Sequence, residues 1–111
     1  MKKINTKNIP VTFANEMGWD VAELKLKMPS SDEWSDNVIE DDKYLYFSES
    51  ITGINVTYDE TDSSIDIYVA DSTGESFEFN GVELPTDVED IGLSFEHDKV
   101  TDSYSVQVMK K

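Results

Sequence analysis

The chain has 111 residues, 38% apolar and 11% aromatic, which suffices for one domain with a core and is too apolar for wholesale disorder. It carries 24 Asp and Glu against nine Lys, with no Arg and no Cys, for a net charge of −15. The missing cysteine excludes disulfides, thiolate zinc sites and cysteine nucleophiles, and the charge argues against nucleic acid or an anionic membrane surface as a direct ligand, because phosphate binding needs clustered Lys or Arg.

In chain order, residues 1–8 start basic, with no apolar run behind them. They are expected to be a flexible segment rather than a signal peptide, which together with the absence of cysteine points to a cytoplasmic protein. No stretch has the length of a membrane span. Val11 and Phe13 form a short alternating run, and residues 13–20 are a weak helical candidate broken by Gly18. Leu24, Leu26 and Met28 alternate with lysines as a strand that Pro29 ends, because proline has no N–H for a ladder. Residues 31–39 predict one short helical turn: Ser31 can cap, Asp32 and Glu33 suit a first turn, and Trp34 and Val38 fall at i, i+4. Trp19 and Trp34 are read as core side chains, since large aromatics dominate small cores.

Period-two alternation then recurs in Ile54, Val56 and Tyr58, in Ile65, Ile67 and Val69, in Phe77 and Phe79, in Ile91, Leu93 and Phe95, and in Tyr104, Val106 and Val108. Asn55-Val56-Thr57 matches a glycosylation sequon and is read as strand. Turn residues separate the runs: 59–63, then 71–74 with Gly74, then Asn80-Gly81, then the bend over 96–102. The expectation is a single all-β domain over residues 1–111: an antiparallel β-sandwich, Ig/C2-like, of seven or eight strands, with one short helical turn near 31–39.

Met17-Gly18-Trp19-Asp20-Val21, Glu23-Leu24, Met28-Pro29-Ser30-Ser31-Asp32 and Trp34-Ser35-Asp36-Asn37-Val38-Ile39, followed by Ile65-Asp66-Ile67-Tyr68-Val69-Ala70-Asp71, Gly74, Phe77-Glu78-Phe79, Val82 and Leu84, form a pattern over most of residues 15–95. It resembles a family of small bacterial β-sandwich proteins with the motif TGY…LYVSPS…W…DLL…YDIxVxDxxG. Met17-Gly18-Trp19 stands here for Thr-Gly-Tyr, and Ser35 for the glycine after tryptophan. The resemblance implies a fold and no catalytic residues.

The single histidine, His97, lies between Glu96 and Asp98 with no nucleophile motif near it, and no carboxylate pair stands out for acid–base work, so the chain is read as no enzyme. No cofactor is expected. Calcium is the one metal the acidic loops could take, and a calcium-binding adhesion or structural module is the alternative reading, although residues 59–70 lack the EF-hand glycine and terminal acid. The leading expectation follows from charge segregation. Residues 32–109 hold 21 carboxylates and two lysines, Lys43 and Lys99. An acidic surface of Asp32, Glu33, Asp36, Glu40, Asp41, Asp42, Asp59, Glu60, Asp62, Asp66 and Glu78 would bind a basic partner protein such as a nuclease, with Tyr44, Tyr46 or Tyr68 as apolar anchors. That is the chemistry of a DNA-mimic inhibitor.

Overall fold

The computed structural model describes residues 5–40, 42–85 and 89–110, with Lys110 described by its backbone. Seven strands follow in chain order: β1 (Thr6–Glu16), β2 (Glu23–Lys27), β3 (Ser50–Asp59), β4 (Ser64–Ala70), β5 (Ser76–Glu83), β6 (Ile91–Asp98) and β7 (Ser103–Lys110). They form a four-stranded sheet in the order β3-β1-β6-β7 and a three-stranded sheet in the order β2-β4-β5. The fold is all-β, with no helix among the described residues.

Alternation places one face of each strand in the interior. Ile9, Val11 and Phe13 of β1, Leu24 and Leu26 of β2, Val56 and Tyr58 of β3, Ile65, Ile67 and Val69 of β4, and Ile91, Leu93 and Phe95 of β6 are all buried, and side chains of both sheets join in one hydrophobic cluster. Phe13, Phe95 and Phe79 stack through it, with ring centroids 5.8 and 5.7 Å apart. Asn15 also faces inward and is fully buried. Its side-chain amide donates to the carbonyls of Trp19 and Leu45, and its oxygen accepts from the Met17 N–H. A polar residue in the core thereby pins the chain after β1 to the segment before β3.

Four expectations are corrected. Pairing is not wholly antiparallel, because β1 and β6 pair parallel from Val11↔Ile91 to Glu16↔Glu96. A parallel pair needs a long crossover, and here the chain traverses the other sheet between the two strands. Residues 13–16 continue β1 instead of starting a helix, and Thr6, Lys7 and Asn8, expected to be flexible, pair with Asp59, Tyr58 and Thr57. Residues 1–4 lie outside the described residues. Asn80-Gly81 is not a turn: it is a bulge inside β5, two residues opposite Asp66, with Gly81 at φ 67°.

The helical turn over 31–39 is also absent. That segment runs extended along the outer edge of β2, where Ser35 N–H donates to the Leu26 carbonyl and Val38 N–H to that of Leu24, both at 2.8 Å. Ser35 Oγ accepts from the Leu26 N–H, and Asn37 Oδ1 from the Leu24 N–H. A single helical turn is marginal in isolation, whereas an edge strand offers a row of unsatisfied partners, so edge pairing wins.

Candidate protein-binding surface

The carboxylates expected to act together divide by element. Asp66 leaves the surface altogether. It is 7% exposed, its carboxylate accepts from Lys27 Nζ and from the Gly81 N–H of the bulge, both at 2.9 Å, and it is thus neutralised and committed to structure. Burial pushes its carboxyl up, but the Lys27 hydrogen bond, the Gly81 N–H and the lysine charge outweigh that and hold it below the usual carboxylate range. Glu78 is exposed in β5, opposite Tyr68. That outer face is not purely acidic: Lys25 lies 5.9 Å from the Tyr68 ring, Lys27 5.4 Å from the Trp34 ring, and Trp34 packs on Tyr68 at 5.9 Å. Trp34 therefore covers the outside of the three-stranded sheet and stands outside the core cluster, whereas Trp19 packs against the core.

Asp59, Glu60 and Asp62 sit at the end of β3. Asp59 Oδ1 accepts from the Thr61 N–H and hydroxyl, and Asp62 Oδ1 from those of Ser64. Glu60 pairs with Lys7 at 3.3 Å. These oxygens serve their own turn first. Among the described residues, no group of three or more His, Cys, Asp or Glu side chains is gathered to hold a metal ion. Asp71 behaves likewise: the Thr73 hydroxyl and the neighbouring N–H groups hold its carboxyl below the usual range.

Of the remaining acids, Glu33, Asp36 and Glu40 border a groove. Two clefts of about 440 and 430 Å³ run between β3 and the segment preceding it, and they share Val38 and Ile54. The first is lined by Leu26, Met28, Trp34 and residues 54–57, with Lys27, Glu33 and Asp36; the second is lined by Ile39, Tyr44, Leu45 and Ile51, with Glu40, Lys43 and Glu49. Asp32 and Asp42 are exposed on the same segment, Asp42 at φ 63°. Asp41 lies outside the described residues. Glu40 pairs with Lys43 at 3.4 Å, both side chains largely in solvent, an arrangement that screens little charge. No lysine among the described residues lies within ion-pair distance of Glu33, Asp36 or Glu49.

Beside the second cleft, Tyr44, Tyr46 and Phe47 are 40–50% exposed, with the two tyrosine rings 5.9 Å apart. The Phe47 N–H bonds the Asp20 carboxylate, and Leu45 pairs with Val21 as a β-bridge, so this loop is held to the body of the protein. Glu49 and Phe47 are members that sequence reasoning missed. Their signal was available: three aromatics within four residues, in a stretch with no period-two burial pattern. The outer face of the four-stranded sheet presents Asn8, Thr12, Asn55, Thr57 and Gln107, with Glu16 and Glu96 paired at one end of the same face.

No family model, no curated protein and no solved structure matches this chain.

Proposed function

We propose that this protein is a non-enzymatic acidic binding protein that covers the basic, nucleic-acid-binding surface of a partner protein, a DNA-mimic inhibitor in an anti-defence, anti-CRISPR-like or nuclease-immunity role. The scaffold reading that goes with it is a β-sandwich of the Ig/C2-like kind, related to the small bacterial family its sequence resembles, in the cytoplasm of a bacterium or of a phage-infected cell. The supporting observation is the pairing of unneutralised acid with exposed aromatic surface: Glu33, Asp36 and Glu49 border the groove with no lysine at ion-pair distance, and Tyr44, Tyr46 and Phe47 lie in the segment that lines its second cleft. Acids steer a basic partner at long range, and aromatics in a desolvated patch supply most of the short-range affinity.

The test is retention of bacterial lysate proteins on the immobilised chain. Basic nucleic-acid-binding proteins should be retained at low salt and released both by raised salt and by added duplex DNA, because salt screens the contact and DNA competes for the same basic surface. Retained proteins that DNA does not displace would overturn the reading.

A further inference from the structure

The geometry points to strand addition at β3: an extended, lysine- or arginine-bearing segment of the partner lies in the groove and hydrogen-bonds to the main chain of Asn55 and Thr57. This rests on the acidic-binder reading and names the segment it would take.

Strand β3 is at the edge of the four-stranded sheet, and among the described residues no strand pairs with its other side. The direction of its main-chain groups follows from β1. Asn15 donates to the Glu49 carbonyl and accepts from the Ser48 N–H, so the main chain of Asn15 faces β3. Because β1 is regular, Phe13, Val11, Ile9 and Lys7 face the same way, and the groups of Ile54, Val56 and Tyr58 opposite them are taken. The N–H and C=O of Asn55 and of Thr57 then point away from β1, toward the first cleft that these residues line.

Edge strands are normally blunted by charge, proline, bulges or a covering segment. β2 in this protein is covered by residues 35–38, whereas β3 from Ser50 to Tyr58 carries no charge and no proline. Its one irregularity is the bulge at Thr52-Gly53, with Gly53 at φ 70°, which leaves residues 54–58 as the regular edge. The apolar floor of Leu26, Met28, Val38 and Ile54 suits alternate apolar side chains of an incoming strand. The rim suits cations, because Glu33 and Asp36 border the first cleft and Glu49 the second with no lysine at ion-pair distance, while Glu40 borders the second beside Lys43, a solvated pair that screens little charge. Lys27 also lines the first cleft, but its ammonium is held by Asp66. A second copy of this chain is disfavoured as occupant, because two bodies of charge −15 repel.

The probe is a capped seven-residue peptide of alternating lysine and valine, titrated into the intact protein at low salt and followed by calorimetry and amide NMR. Its control is the same peptide N-methylated at its three central residues, which blocks both of its edges. Binding should perturb the amides of residues 54–58 and weaken at least about tenfold with the N-methylated peptide. Asn55→Pro should weaken it similarly, since it removes an outward N–H while leaving the β1 ladder intact; if that variant fails to fold, the N-methylated peptide on the natural chain decides the same question. Binding of both peptides within about twofold of each other, with perturbations centred on the acidic turns, overturns strand addition and leaves the acidic-binder reading standing. No binding of either peptide also overturns it, and release of retained lysate proteins by DNA then tests the broader reading independently. Sedimentation as a dimer that the peptide does not dissociate would assign the edge to a second copy and overturn the proposal as well.

Discussion

Lys27 and Asp66 meet on the outer face of the three-stranded sheet with their side chains 16% and 10% exposed, and the Gly81 N–H fills a second position on the same carboxylate. The acid thus does two jobs. It holds β2 to β4 across the register pair Lys27↔Asp66, and it satisfies a main-chain group that the β5 bulge would otherwise strand. Asp66→Asn keeps an oxygen for Gly81 but loses the charge facing Lys27, so it should lower stability by about 1–3 kcal/mol at neutral pH, read as a shift of the urea midpoint with unchanged slope. The pH dependence has a definite sign. The carboxyl of Asp66 is held below its ordinary 3.8 in the fold, so on acidification the unfolded chain takes up its proton first. Its contribution is complete above that value and is lost as pH falls through the folded value. The gap between the natural chain and Asp66→Asn should therefore be flat near neutrality and close below pH 3.8. A gap that stayed constant through that range would show that the charge is not what the variant removes.

At the scale of elements, side chains replace a strand. Residues 35–38 lie along β2, and Asn37 makes most of the seam: its Oδ1 accepts from the N–H of Leu24 and of Ile39, and its Nδ2 donates to the Ala22 carbonyl. Asn37→Ala leaves those groups without partners and should cost about 1–3 kcal/mol. It should also speed hydrogen exchange at the Leu24 amide well beyond the change at Leu93, in the middle of the inner strand β6; equal acceleration at both would mean the seam has no local role. The same segment shows why local sequence misled. Ser, Asn and Asp cap helices and strand edges with the same oxygen atoms, so residues 31–39 read as a helix start when their partners, Leu24 and Leu26, come from the preceding strand. The alternating runs of β3, β4, β6 and β7 were legible because each buries one face. β1 was underread because Pro10 and the inward-facing Asn15 break its apolar pattern, although Asn15 is a core residue that binds three main-chain groups. Of the site, the acid-rich segment and Tyr44 and Tyr46 were visible as residue types. The removal of Asp66 was not, because it depends on a cross-strand meeting with Lys27 that no local spacing encodes.

At the scale of the whole molecule, a body measuring 43 × 27 × 27 Å holds a net −15. The screening length is about 30 Å at 0.01 M salt and about 8 Å at 0.15 M. In dilute salt carboxylates therefore feel those across the 27 Å width of the molecule, whereas at physiological strength only neighbours interact. Since self-repulsion weakens the compact state, added NaCl over that range should raise Tm by several degrees, with about 1 kcal/mol corresponding to about 4–8 °C in a domain of this size. The exposed pairs Lys7–Glu60 and Lys43–Glu40 are too solvated to reverse the trend, and the shielded Lys27–Asp66 pair responds to salt only weakly. Partner binding should move the other way, weakening as the same salt is added, because there the charges attract. One titration thus yields opposite signs for folding and for association. Calcium provides the control. As a screening ion it should raise Tm no more than NaCl of matched ionic strength, whereas a specific site would add stability that grows with the logarithm of its concentration. A Tm that fell with NaCl would mean that local attraction outweighs the net charge, and an acidic surface already satisfied from within would have little left to offer a basic partner.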